Sequence, residues 1–309
     1  MTTEFAGRQG TRGMAEATLL GGATMATNLG DTVQTITIGG DLTVKRLGFG
    51  AMRLCGPGVW GYPKDRDRAL AVLRHAVERG VDFIDTSNAY GPDVNEKQIA
   101  EALFPYPAGL TIATKGGFTR PGPGRWHPDG RPESIKTACE GSLRRLRVDS
   151  IALYQFHTPD DKVPFEESVG VFAELQAAGK IRHVGLSNVS LEQLAAAQRI
   201  VPVVSVQNRY NLADRESDPV LAACERQGIA FLPWAPLDAG ALGKPRGALA
   251  RIARERKATP NQIALAWLLR RSPVMTPIPG TSLLAHLDEN LADAQIGLAP
   301  GEFEELSGG

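Results

Sequence analysis

The chain has 309 residues, 42% of them hydrophobic, with 34 Lys+Arg balanced by 34 Asp+Glu; it can bury one large core, and its zero net charge offers no field for nucleic acid or an anionic membrane. No apolar run reaches the roughly 18 residues of a spanning helix. Cys55, Cys139 and Cys224 form no CxxC pair, which argues against a disulfide framework or a thiolate metal site and fits a reducing cytoplasm.

Residues 1–32 are rich in Gly, Ala and Thr, and their apolar patch ATLLGGATMA follows Glu16 and is too weak for a secretory signal. They read as a flexible extension ahead of a single domain over 33–309. VQTITIGGDLTVKRL then alternates apolar and polar residues about Gly39-Gly40-Asp41, the pattern of a β-hairpin. Eight short apolar runs follow and read as strands: 47–52, 81–85, 110–115, 151–157, 181–187, 203–208, 229–234 and 274–279. Between them lie stretches with apolar residues at helical spacing, among them 67–80, 132–146, 164–179 and 190–200. Strand and helix alternate without a break in composition, which predicts an α/β protein with a parallel sheet closed as a (β/α)8 TIM barrel, the N-terminal hairpin plugging one mouth. No GxGxxG follows an early strand, which disfavours an open dinucleotide-binding sheet.

Function in such a barrel sits at the C-terminal strand ends. Asp85, Lys115 and His157 end the second, third and fourth expected strands, and Tyr90 lies on the loop just after Asp85. Each alone has a plain structural use: a helix cap, a solvated lysine, a packing tyrosine, a hydrogen-bonded histidine. Together they make a proton relay. A tyrosine whose pKa is ordinarily about 10 works as a general acid near neutrality when a lysine stabilises the phenolate it leaves, and a carboxylate keeps that lysine charged in a buried site. A histidine across the pocket can orient a carbonyl oxygen. His75, His127, His157, His183 and His286 form no HxH or HExxH, so a metal-dependent barrel hydrolase is disfavoured; a non-catalytic nucleotide sensor is the other alternative.

The motifs DTSNAYG (85–91), TKGG (114–117), LYQFH (153–157), VGLSN (184–188), VQNRYN (206–211), FLPWAPL (231–237) and IPGTSLLAHLDEN (278–290) resemble, in order, those of the aldo-keto reductases. The likeness runs from about 47 to 290, and RLGFGAMRLCGPGVWG and LPWAPL resemble a bacterial branch that includes pyridoxal reductases. It implies an NAD(P)H-dependent oxidoreductase that reduces an aldehyde or ketone, with hydride from nicotinamide C4 and the proton from Tyr90, tuned by Lys115 and Asp85, while His157 orients the carbonyl. It further implies that Ala51, Met52 and Asp85 adjoin the cofactor, that Ser187, Asn188 and Gln207 hold the carboxamide, and that Trp234 stacks on the nicotinamide. Ala235, Leu237 and Gly240 match the loop across the pyrophosphate, in which Asp238 is expected to point away.

At the adenosine end Gly280 and His286 stand where many members carry Lys and Arg, Thr281 and Ser282 can hold a phosphate through hydroxyls and free N–H groups, and Glu289 and Asn290 match adenine contacts. NADP(H) is expected ahead of NAD(H). Met52, Arg53, Trp60, Trp126 and His157 are the expected substrate pocket, with the insertion 116–132 forming a long loop as its wall. The expected partner is a small-molecule carbonyl, with no metal, nucleic acid or membrane, for a cytoplasmic monomer or weak oligomer.

Overall fold

A computed structural model describes residues 34–238, 240, 247–292 and 296–308; the extension expected over 1–32 lies outside them. Thr35–Ile38 (β1) pairs antiparallel with Leu42–Lys45 (β2), Ile38 opposite Leu42. Gly39 and Gly40 close the turn at φ +64 and +87, a region that costs other residues strain. A side chain at Gly39 would also start 2.5 Å from the His183 ring.

Seven strands form one parallel sheet: Phe49–Gly50 (β3), Phe83–Asp85 (β4), Thr111–Gly116 (β5), then, after a separate antiparallel pair Phe118–Gly122 (β6) and Arg125–Pro128 (β7), Ile151–Phe156 (β8), Ile181–Ser187 (β9), Val203–Gln207 (β10) and Ala230–Phe231 (β11). Their order across the sheet is β11-β10-β9-β8-β5-β4-β3. The helices Arg66–Glu78 (α1), Val94–Leu103 (α2), Pro132–Leu146 (α3), Phe165–Ala177 (α4), Leu191–Gln198 (α5) and Asp218–Gln227 (α6) alternate with these strands, and Gly247–Glu255 (α7), Pro260–Arg271 (α8), Leu284–Ala292 (α9) and Pro300–Gly308 (α10) complete the described chain. Local sequence sets the helix ends. Ser190 with Gln193, and Thr259 with Gln262, form capping boxes, and Gly228 ends α6 at φ 66.

The eighth expected strand, 274–279, is not a regular one; it makes a single parallel bridge, Met275 with Phe231. Pro277 and Pro279 remove two ladder donors, yet the segment still touches both sheet edges. Phe231 N–H donates to Val274 O at 2.8 Å, and Gly48 N–H and Gly50 N–H donate to Pro277 O at 2.9 Å and Pro279 O at 3.4 Å. The insertion 116–132 also departs from expectation. It is the hairpin β6–β7 and not an irregular loop, turning at Pro123-Gly124 with Gly122 opposite Arg125.

Ile38, Leu42 and Val44 of the first hairpin pack on Phe83, Ala113, Leu153, Ala230, Leu232 and Ile278, covering the inner face of the sheet near the strand starts. Helices cover the outer face, with Val72, Leu73 and Ile99 on one side and Phe172, Leu221 and Trp267 on another, all fully buried. Arg46, just after the hairpin and 5% exposed, donates to Leu269 O at 2.6 Å, Ser272 O at 2.5 Å and Met275 O at 3.1 Å. It caps the end of α8 and fixes the segment that follows. Arg46→Met would leave these carbonyls without their donor, and urea unfolding is expected to show a loss of ~2–4 kcal/mol. No helix among the described residues is long and apolar enough to cross a membrane.

Candidate active site

Asp85, Lys115, Gln155, Ser187 and Gln207 stand on neighbouring strands at the end of the sheet opposite the first hairpin. The segment after β4 is a tight, internally bonded turn. Ala89 N–H donates to Ser87 Oγ at 3.1 Å and Tyr90 N–H to Ser87 O at 3.1 Å. Thr86 Oγ1 donates to Asn95 Oδ1 at 2.6 Å, while Asn95 Nδ2 donates to Ala51 O at 2.9 Å. Gly91 follows at φ 103, where a Cβ would meet Val94 at 2.4 Å. Tyr90 is thereby held between the end of β4 and the start of α2.

Lys115 is fully buried, and each of its three donor directions is used: Asp85 Oδ1 at 2.5 Å, Thr86 O at 2.9 Å and Tyr90 Oη at 3.2 Å. Burial opposes its charge, but Asp85 beside it, with Tyr90, outweighs that and lifts its pKa above the ordinary 10.5. Asp85 is held in turn by Gln155 Nε2 and Gln207 Nε2, both donating to Oδ2 at 2.9 Å. Burial raises the Tyr90 pKa above its ordinary 10.0, the charge of Lys115 pulls it down, and that of Asp85 pushes it up. His157 bonds through Nδ1 with Ser87 Oγ at 3.1 Å. Its pKa lies well below the ordinary 6.5, through burial first and then the positive charges of Lys115 and Arg120, so the imidazole is neutral. The set can donate a phenolic proton, stabilise the phenolate and offer an imidazole N–H to the same oxygen.

These groups open into a cavity of about 860 Å³, near the top of the range, about 300–1,000 Å³, usual for ligand and cofactor sites. Asp85, Tyr90, His157, Met52 and Arg53 line it together with Ser187, Asn188, Gln207, Trp234, Ala235, Leu237 and Gly240; farther along come Gly280, Thr281, Ser282, His286, Glu289 and Asn290. Trp126 lines the Tyr90 end, its ring 6.1 Å from that of Tyr90 and 6.3 Å from that of His157, each edge-on.

Two residues expected at the cavity do not line it. Ala51 is wholly buried and reaches Asn95 through its carbonyl, with Gly50 lining the cavity in its place. Trp60 is not in the lining; its neighbour Val59 is, and Trp60 sits behind it near Arg120. Lys115 lies beneath Tyr90 and does not itself face the cavity. Asp238 is turned toward Arg209, whose Nη2 donates to Oδ1 at 2.8 Å. Some site members went unnoticed in the sequence. Phe118, Pro236, Asn261, Ile278 and Pro279 line the cavity, and Gln155 and Ser87 support Asp85 and His157. Gln155 had a signal, a polar residue on the inward face of an apolar strand two places before His157; an apolar lining residue such as Ile278 has none.

The description "Aldo/keto reductase family" matches residues 46–308. The chain belongs to the aldo/keto reductase family. This aldo/keto reductase is 46% identical over 284 residues to "Uncharacterized oxidoreductase C215.11c" of Schizosaccharomyces pombe, covering 92% of each chain. It is 43% identical over 281 residues to "Pyridoxine 4-dehydrogenase" of Escherichia coli, covering 89% of this chain and 97% of the relative. Among solved structures, an aldo/keto reductase from Klebsiella pneumoniae in complex with NADP and acetate is similar at a TM-score of 0.75, with 26% identity over 89% of this chain and 94% of that one. The bacterial likeness expected from the motifs is thus found, and the chain is an oxidoreductase-family α/β protein.

Proposed function

We propose that this protein is an NAD(P)H-dependent reductase of aldehydes and ketones, built on a closed (β/α)8 barrel over 33–309 with 274–279 as its closing segment. The Asp85–Lys115–Tyr90 contact set at one end of the cavity, with Tyr90 in the lining and Lys115 beneath it, carries this reading. A nicotinamide cofactor would lie along Ser187, Asn188, Gln207 and Trp234, and it supplies the hydride when bound. The residues on these strands do the rest. Trp234 Nε1 donates to Asn188 Oδ1 at 2.8 Å, and Asn188 Nδ2 donates to His157 O at 3.0 Å, so the expected cofactor wall is braced against the residue expected to orient the substrate. Tyr90 gives its proton to the carbonyl oxygen as hydride arrives, Lys115 stabilises the resulting phenolate, and Asp85 keeps Lys115 charged. In the tautomer in which Nδ1 accepts from Ser87 Oγ, the neutral His157 presents Nε2–H to the same oxygen.

NADP(H) is the proposed cofactor. Arg53 and His286 line the cavity on either side of Gly280–Ser282 in sequence, and Arg53 Cγ lies 3.6 Å from where a Gly280 Cβ would be, so a cation is available although Gly280 itself offers none. Titrating tryptophan fluorescence with NADPH and NADH tests this; tighter NADH binding would refute it. A flat, aromatic carbonyl such as pyridoxal fits the ring-lined end formed by Tyr90, Phe118, Trp126 and His157. A monomer or weak oligomer in the cytoplasm is proposed, and the three free cysteines suit such a reducing compartment.

Reduction requires Tyr90 protonated and His157 neutral. The first pKa is above 10.0 and the second below 6.5, so kcat/KM is expected to be flat across that window. It falls on the acid side only as His157 takes a proton, and on the alkaline side only as Tyr90 loses one. A titration near pH 7 would contradict the assignment. Purified protein with NADPH and a panel of carbonyls tests the activity itself; tight cofactor binding with no turnover on any of them would favour a nucleotide sensor.

A further inference from the structure

We propose that Arg120 is a positioning residue that holds the β6–β7 hairpin against the substrate end of the cavity and keeps a positive charge near His157. This rests on the reductase reading above.

Arg120 lies on β6, and its guanidinium donates to four backbone carbonyls on three segments. Nε reaches Arg125 O at 2.7 Å across its own hairpin; Nη1 reaches Val59 O at 3.1 Å and Ala89 O at 2.8 Å; Nη2 reaches Gly58 O at 2.8 Å. Ala89 immediately precedes Tyr90, and Val59 lines the cavity. One planar group therefore ties the hairpin, the loop after β3 and the turn that carries Tyr90. A guanidinium has five N–H donors in a fixed fork, whereas a lysine has three on one flexible point charge, so lysine cannot reproduce the tie. The same guanidinium lies 3.6 Å from the Trp126 ring centroid, a cation–π contact that presses Trp126 into the lining. Phe118, two residues earlier on β6, meets the His157 ring edge-on at 4.7 Å. The hairpin contributes two aromatic walls, and Arg120 sets where both stand.

Charge is the second part. No carboxylate pairs with Arg120 among the described residues, so its field is not cancelled locally. The titratable groups about His157 are Tyr90, Lys115 and Arg120, with Asp85 behind Lys115. The guanidinium sits on Trp126, whose ring is 6.3 Å from that of His157. Lys115, paired with Asp85, discourages protonation of His157 first after burial, and Arg120, which has no such ion pair among the described residues, adds to it.

Two variants separate geometry from charge. Arg120→Lys keeps the charge and loses the fork; Arg120→Met loses both. With the full chain, NADPH and pyridoxal, both variants are expected to raise KM for the carbonyl by at least about tenfold, the cost of one lost set of charge-assisted hydrogen bonds. NADPH affinity is expected to stay at the wild-type value, because none of the four carbonyls that Arg120 holds belongs to a residue proposed to bind the cofactor. The acid limb of the kcat/KM profile moves to higher pH in Arg120→Met and stays in place in Arg120→Lys. A merely structural arginine would move neither the KM-against-kcat split nor that limb. Wild-type KM and wild-type pH limb in folded variants overturn the proposal. If Arg120→Met fails to fold, a wild-type KM in Arg120→Lys overturns it alone. Failure of the parent reading looks different: the wild-type protein itself reduces no carbonyl with either cofactor.

Discussion

Tyr90→Phe is expected to slow carbonyl reduction by ~10²–10⁴-fold while NADPH binding persists, because the change removes the acid and leaves the ring. The geometry makes this a clean test. The Tyr90 hydroxyl accepts one hydrogen bond, from Lys115 Nζ at 3.2 Å, and Lys115 keeps its two stronger partners, Asp85 and Thr86 O. Phe therefore leaves the lysine paired, and the edge-on contacts of the ring with His157 and Trp126 survive. Folding and cofactor affinity serve as internal controls. Turnover near that of wild type, with the control measurements unchanged, would remove Tyr90 as proton donor and make the turn a packing feature.

Asp85→Asn is expected to damage stability and turnover together, by ~3–5 kcal/mol in unfolding free energy, the cost of leaving a buried ammonium without its counter-ion. A side-chain cap lost from a helix start would cost only about 1 kcal/mol, so the magnitude alone separates the two uses of an acid at this position. Three donors converge on the Asp85 carboxylate, Lys115 Nζ, Gln155 Nε2 and Gln207 Nε2. An amide there offers one oxygen and turns its own donor on one of them. Without Asp85, burial is the largest influence left on Lys115 and drives it toward the neutral form; a neutral lysine stabilises a phenolate poorly, so reduction falls as well. Urea unfolding and kcat on one aldehyde, measured on the same preparation, check both halves.

Much of this was legible in the chain. Strand ends are short apolar runs that stop at a polar residue, so Asp85, Lys115 and His157 could be placed by counting along the sequence, and the Gly39-Gly40 turn marked the first hairpin. Other features were not legible, for identifiable reasons. The β6–β7 hairpin has no regular alternation, since its register shifts between Thr119 and Gly122, and the sequence FTRPGPGRWHP therefore looks like an irregular loop. The segment 274–279 has the composition of a strand but alternates proline into it, so it joins the sheet edges through carbonyls and not through a regular ladder. Ala51 opens a short 3₁₀ turn, Ala51–Leu54, that buries it beside Gly50, and Trp60 lies on a loop whose backbone bridges to Gly91; which neighbour faces the cavity depends on these local turns and is not written in residue type.

The sequence by itself determined the alternation of strands and helices, the identity of the ionisable set and its order, because these depend on local periodicity and on residue type. Only the tertiary structure decided who touches whom. That Lys115 sits beneath Tyr90, that Asp85 is shared by glutamines from two other strands, and that Arg120 reaches back to Gly58, Val59 and Ala89 all depend on sheet register and on distances between segments 25 to 122 residues apart. Such contacts are fixed by packing of the whole sheet, and no local stretch of sequence contains them.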